Sequence, residues 1–220
     1  MTILQFENVG LRYNPTKEIL KDINLTIKKG EFLFLLGQSG AGKTSLLNLM
    51  HASLVPNRGF LNVLGYNVSN KLNSLQLSHI RKQIGFIFQD SKLINQLSVF
   101  DNIALPLKIS KISIGEINNR VNELLHWIDL YDFKDAYPET LSGGQKQKVA
   151  IARAIINNPK LILADEPTGS IDDTTTQKIM MLLEELNKNG STIIFATHNL
   201  DLVKNHNYKT LTIKNAQLKL

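Results

Sequence analysis

The chain of 220 residues contains no cysteine. That excludes disulfides, thiolate metal sites and a cysteine nucleophile, and it suits a reducing compartment. No apolar run reaches the roughly 18 residues a membrane-crossing helix needs. The segment Met1-Thr2-Ile3-Leu4-Gln5-Phe6-Glu7 has no basic stretch leading into an apolar one, so no secretory signal is expected. Internal repeats, low-complexity segments and flexible linkers are lacking too. Lys and Arg never form a long run and are not interleaved with aromatics, so the net charge of +6 reads first as a solvated surface rich in Lys and Asn. Attraction to an anionic membrane surface comes second, and nucleic acid is not expected as a partner. With 43% hydrophobic and 20% charged residues, the composition is that of an ordinary globular protein, one domain or one core with a sub-lobe.

The chain does contain Gly37-Gln38-Ser39-Gly40-Ala41-Gly42-Lys43-Thr44, which fits Gly-x-x-x-x-Gly-Lys-Ser/Thr. The apolar run Phe32 to Leu36 before it has the character of a buried parallel strand. After it, Leu46, Leu47, Leu49 and Met50 fall at helical spacing. Strand, glycine-rich loop and helix in that order make a phosphate-binding loop. Glycines let the backbone fold back so that several N–H groups face one anion, and the helix adds its positive end. Lys43 is expected to be a mobile charge on a solvent-facing loop that reaches the β- and γ-phosphates, and the Thr44 hydroxyl can ligate Mg²⁺. A glycine-rich turn before an ordinary helix is the plain alternative, and the flanking strand and helix argue against it.

Strand-like alternation covers Ile3 to Val9 and Ile23 to Ile27. Gly59–Leu64, Ile84–Phe88, Leu161–Ala164, Thr192–Ala196 and Tyr208–Ile213 also read as strands. From Val99 to Ile156 the pattern turns helical, with Ile117, Val121, Leu124, Leu125 and Ile128 on one face. Ile179, Leu182, Leu183 and Leu186 mark a further helix. The strand Leu161–Ala164 runs into Asp165 and Glu166. At the end of a parallel strand, Asp165 can organise Mg²⁺ and Glu166 can polarise an attacking water. Leu141-Ser142-Gly143-Gly144-Gln145 is a second glycine-bearing helix start, with Ser142 as its N-cap.

The phosphate loop, Gln89 after an apolar strand, Leu141–Gln145, Asp165-Glu166 and His198 after a strand resemble an ABC-type ATPase in their identity and order. The likeness covers essentially the whole chain. It implies an α/β fold: a P-loop NTPase (RecA-like) core, an antiparallel β subdomain and an inserted α-helical subdomain. One domain over 1–220 is expected, with residues 1–89 and 157–220 forming the core and β subdomain and about 90–156 the helical part. The resemblance further assigns Tyr13 to stacking on adenine, Gln89 to Mg²⁺ and the attacking water, Glu166 to general base and His198 to the γ-phosphate. Ser170-Ile171-Asp172 becomes the loop that crosses to an opposing subunit. Members sandwich two ATP molecules in a dimer, each between one subunit's phosphate loop and the other's Leu-Ser-Gly-Gly-Gln. This chain has one copy of each motif and is expected to form a homodimer on ATP binding. Lys148 stands where many relatives have Arg, which keeps the charge but not the planar fork.

Within the family, Ile84–Asp90, Ser98–Leu107 and Leu163–Gly169 resemble the bacterial cell-division branch, whose ATPase pairs with an integral membrane permease. The acidic Asp90 after Gln89 and an end soon after the last strand point the same way. The ATPases of lipoprotein-release and macrolide-export systems share the Pro-Thr-Gly of 167–169 and the Asn-x-Ala-x-Pro-Leu of 102–107. On this reading the protein sits peripherally on the cytoplasmic face of the plasma membrane. DNA-repair members need a long coiled-coil insertion and ribosomal members two cassettes. A scaffold that scarcely hydrolyses ATP is opposed by Glu166 and His198.

Overall fold

The computed structural model describes residues 1–14, 17–70, 72–169 and 171–219. In chain order the first elements are β1 (Thr2–Asn14), β2 (Lys17–Lys28), β3 (Phe32–Leu36), α1 (Lys43–Met50), β4 (Arg58–Val63) and β5 (Tyr66–Asn67). Then come α2 (Ser74–Arg81), β6 (Ile84–Ile87), α3 (Val99–Ile109), α4 (Ile114–Trp127), α5 (Gly143–Ile155) and β7 (Leu161–Asp165). The chain finishes with α6 (Asp173–Lys188), β8 (Thr192–Thr197), α7 (Leu200–Lys204), β9 (Lys209–Lys214) and β10 (Gln217–Lys219).

Two sheets result. A 4-stranded antiparallel sheet has the order β2-β1-β4-β5, and a 6-stranded sheet the order β10-β9-β3-β8-β7-β6. In the larger sheet β6, β7, β8, β3 and β9 run parallel, and β10 closes one edge antiparallel. Every residue of β7 and β8 is buried, as expected of strands covered on both faces. Strands β1 and β2 extend well past the alternating stretches seen in the sequence. Register shifts between Phe6 and Val9, near Asn8 in the left-handed region at φ +50, break the alternation while pairing continues.

Helix α1 lies between the sheets. Leu46, Leu47, Leu49 and Met50 share one core with Phe6 and Leu61 of the antiparallel sheet and Leu163 of the parallel one. The opposite face of the parallel sheet packs Phe34 and Phe195 against Ile179 and Leu183 of α6. A third core joins Val99, Ile103 and Leu107 of α3 to Val121 and Leu125 of α4. Helix α5 belongs to two of these cores. Val149 and Ala152 enter the helical one, whereas Ile151 and Ile155 enter the sheet core. It is the rod by which the helical part is fixed to the sheet. Helix α2 was not expected. Only Ile80 of it is buried, so it carries almost no apolar stripe, and a capping box between Asn73 and Gln76 defines its start instead.

Candidate active site

The strand register decides what meets what. Leu35 pairs with Ala196, and Ala196 with Asp165, so the loop after β3, Glu166 after β7 and His198 after β8 leave the sheet side by side. This is the carboxyl edge where α/β sheets bind ligands. Tyr13, Gln38, Ser39, Gly40, Gly42, Lys43, Thr44, Gln89, Asp165, Glu166 and His198 line one cavity of about 570 Å³ there. Gly37 and Ala41 face an adjoining cavity, and Gln38 to Gly40 form the wall between the two.

Gly42 sits at φ +107, and a β-carbon there would meet the Ile19 carbonyl oxygen at 3.2 Å, so glycine is required. Helix α1 opens immediately after it with no side-chain cap and no acidic residue in its first turn. Its leading N–H groups therefore remain available to an anion. The Lys43 ammonium donates to the Gly37 carbonyl at 2.7 Å and lies 3.1 Å from Glu166 Oε1. At 7% exposure Lys43 is buried, not a mobile charge on a solvent-facing loop. It is the first residue of α1, and Glu166 and the folded-back loop close over it. The Thr44 hydroxyl donates to Asp165 Oδ2 at 2.7 Å. Burial pushes the Asp165 carboxyl up, and the Thr44 bond pulls it back. Glu166 adopts φ +48, a left-handed conformation that costs a residue with a β-carbon about 1–2 kcal/mol. Its Oε2 lies 2.8 Å from His198 Nδ1, so both carboxylate oxygens are held. Strain of this kind persists where surroundings fix it, and it directs the carboxylate into the cavity.

The second glycine-bearing motif lies elsewhere. Ser142 caps α5 in a capping box. Its hydroxyl accepts from the Gln145 N–H at 3.3 Å, and Gln145 Oε1 accepts from the Ser142 N–H at 2.8 Å. Leu141 is buried in the helical core while Ser142 and Gly143 are exposed, and none of Leu141, Ser142, Gly143, Gly144 and Gln145 lines the cavity. Asp172 is also apart. Its carboxylate accepts from the Thr175 N–H and hydroxyl, both at 2.8 Å, as the N-cap of α6, and these bonds hold its acid down to about 2. Ser170 lies outside the described residues. Lys148 gives one bond, at 3.1 Å, to the Ile128 carbonyl at the C-terminal end of α4. A point donor suffices for a lone carbonyl at a helix terminus.

A family model described as ABC transporter matches residues 20–169. The chain belongs to the ABC transporter ATPase family. ATP hydrolysis is the characteristic activity of that family, and its cassettes dimerise and work with membrane subunits. The Methionine import ATP-binding protein MetN of Francisella tularensis subsp. holarctica (strain OSU18) is 45% identical over 206 residues, 92% of this chain. The chain spans only 59% of the length of that relative. The Cell division ATP-binding protein FtsE of Escherichia coli (strain K12) is 38% identical over 216 residues, 98% of this chain and 97% of the relative. A solved dimeric, post-hydrolysis state of the ATP-binding cassette MJ0796 bound to ADP and Pi superimposes with a TM-score of 0.91. It shares 36% identity and covers 99% of this chain, which covers 97% of it.

Two residues of this ABC cassette escaped the sequence. Ser45 Oγ lies 3.0 Å from the hydroxyl of Tyr13, tying the 59% exposed ring to the start of α1. Ile19 lines the cavity beside Tyr13 from β2. A serine directly after Thr44 was the one available signal for the first. Nothing short of the strand pairing reveals the second.

Proposed function

We propose that this chain is the ATP-binding and hydrolysing subunit of an FtsE-type membrane complex, acting as a homodimer with an FtsX-like permease. ATP-driven dimer closure would then be coupled to a membrane partner that regulates cell-wall remodelling. The observation that carries the catalytic reading is the meeting of Lys43, Thr44, Gln89, Asp165, Glu166 and His198 in one cavity. The loop backbone and Lys43 hold the phosphates, with Tyr13 against the base. Thr44 and Asp165 offer hard oxygen donors, a set that suits Mg²⁺, with Gln89 as a further oxygen. Mg²⁺ bound there would neutralise charge on the β- and γ-phosphates. Glu166 takes the proton of the attacking water and His198 reaches the γ-phosphate. Asp90 after Gln89 and the 38% identity to the Escherichia coli FtsE over 97% of that relative favour the FtsE branch. The 45% identity to a methionine-import ATPase favours a second reading, the motor of a small-molecule importer. Co-expression with each kind of permease separates them: retention of this chain by the FtsX-like partner alone supports the first, and by the importer permease alone overturns it.

Leu141–Gln145, presented on an exposed helix start away from the cavity, would serve the nucleotide of a second subunit, with Asp172 near the crossing. Ser142→Arg should leave ATP binding intact and sharply reduce both dimerisation and turnover. Loss of the cap also costs about 1 kcal/mol, so melting temperature is read alongside. Size analysis in a Glu166→Gln background decides: dimers as abundant as without the change would end the cross-subunit assignment.

A groove of about 710 Å³ beside α2 and α3 carries Leu77, Phe88, Ile94, Leu105 and Pro106. We place the permease's cytoplasmic helix there. The segment Asp90–Ile94 does not line it as a whole, and only Lys92 and Ile94 of it do. Leu93 turns inward and packs against the helical core, while Ile94 stays 38% exposed in the groove. Ile94→Glu should abolish co-purification with the permease and leave the melting temperature unchanged. Leu93→Glu should destabilise the fold by several kcal/mol, because it puts an unpaired charge among apolar side chains. Full permease binding by Ile94→Glu would move the docking site elsewhere.

A further inference from the structure

After β6 the chain turns sharply. The Ser91 N–H bonds the Phe88 carbonyl at 3.2 Å, and the Lys92 N–H bonds the Asp90 carbonyl at 2.6 Å. Ser91 and Lys92 are both left-handed, at φ +58 and +43. Consecutive residues with β-carbons rarely adopt that conformation, and their surroundings must hold it. Arg153 of α5 does so. Its Nη2 donates to the Ser91 carbonyl at 2.8 Å and its Nη1 to the Lys92 carbonyl at 2.9 Å. No carboxylate pairs with this guanidinium among the described residues, and burial pulls its pKa down. A half-buried cation that faces neutral acceptors and no carboxylate is costly unless the fork it supplies is needed.

Two further side chains complete the clamp. Gln147, also on α5 and 2% exposed, accepts from the Ser91 hydroxyl at 2.6 Å. Asn102 of α3, 0% exposed, accepts from the Ile94 N–H at 2.9 Å and donates to the Ile94 carbonyl at 3.0 Å. It also accepts from Arg153 at 3.4 Å. The corner just beyond Gln89 is thereby bonded to the same helix whose first turn carries Ser142 and Gln145. That helix has 13 residues, a rod about 20 Å long.

We propose that Arg153 is a positioning residue for hydrolysis: it locks the Ser91–Lys92 corner to α5, so that Gln89 and the Leu141–Gln145 helix start move as one piece. Engagement of one subunit's helix start with the opposing nucleotide is then reported to that subunit's own Gln89. This rests on the reading that Gln89 acts in the nucleotide site. Lysine cannot replace arginine here, because a single ammonium does not span two successive carbonyls in fixed geometry. Displacement of Gln89 by about an ångström is enough to slow turnover tenfold or more without touching nucleotide affinity.

The test is a cycle of Gln89→Ala, Arg153→Lys and the double variant, with kcat, KM for ATP and melting temperature measured on each. Arg153→Lys should lower kcat about tenfold and leave KM within about twofold. The double variant should turn over no more slowly than Gln89→Ala alone, since both changes remove one function. A merely structural arginine would instead multiply its effect with that of Gln89→Ala, and such a product overturns the proposal, as does wild-type kcat in Arg153→Lys. Should Arg153→Lys fail to fold, Ser91→Ala, which removes the bond to Gln147, takes its place and must show the same non-additivity. If Gln89→Ala alone keeps wild-type turnover, the reading of Gln89 fails by itself and this inference falls with it.

Discussion

Glu166→Gln should leave ATP binding intact, lower turnover by about 10²- to 10⁴-fold, and cause ATP-locked dimers to accumulate. Glutamine keeps the shape of the side chain and the φ +48 backbone costs no more with it. What is lost on the proposed reading is the acceptor for the proton of the attacking water. The substitution also removes the negative member of the Lys43–Glu166 pair, whose side chains are only 8% and 11% exposed. Lys43 keeps the Gly37 carbonyl at 2.7 Å, so the loop retains its closed form. On the proposed reading, in which the γ-phosphate lies beside this carboxylate, its removal also lowers repulsion, so ATP affinity should hold or rise. Steady-state phosphate release and size analysis with ATP on the same preparation test both halves. Unchanged turnover would remove Glu166 from the role of base and leave it as a partner for Lys43 and His198.

Much of this site is legible in the sequence because its parts are local. The phosphate loop needs adjacent residues at set spacing, and Asp165-Glu166 needs only an apolar run before it. The Ser142–Gln145 capping box is likewise visible as a serine three positions before a glutamine. What is illegible depends on pairing between distant strands. The order β9-β3-β8-β7-β6, which alone brings Lys43, Glu166 and His198 together, leaves no trace in any single segment. Lys43 looks solvent-facing until Glu166 is seen to close over it. Leu93 and Ile94 are equivalent as letters, and the two left-handed residues before them decide which one turns inward. Asp172 shows a different limit. The family pattern assigns it to a subunit crossing, while the chain itself uses its carboxylate to cap α6. Helix α2 escaped because a helix with one buried residue has almost no apolar period to detect.

Loss of the Lys43 charge should abolish tight Mg-ATP binding, and the burial of this residue determines how the experiment must be built. Each charge-assisted bond to a phosphate contributes about 1.5–3 kcal/mol, so losing contacts to two phosphates weakens binding by more than about 10²-fold. Lys43→Ala would also leave a void beneath the loop and deprive Glu166 Oε1 of its partner at 3.1 Å, at a cost of about 1–3 kcal/mol. A fall in affinity with that variant alone could then follow from a loosened loop. Lys43→Met fills the same space and keeps helix propensity at the first position of α1, and it removes the ammonium with its bonds to Gly37 and Glu166 without opening a void. Calorimetric titration of both variants, each with its melting temperature, separates charge from packing. Both should fail to bind Mg-ATP tightly and both should melt earlier, because each leaves Glu166 Oε1 without its partner, and the alanine variant should melt earliest because it adds the void. Near-normal affinity in a folded Lys43→Met chain would mean that the backbone of residues 37–44 and the first turn of α1 hold the phosphates without the lysine. Near-normal affinity in both would mean that this loop is not the phosphate site.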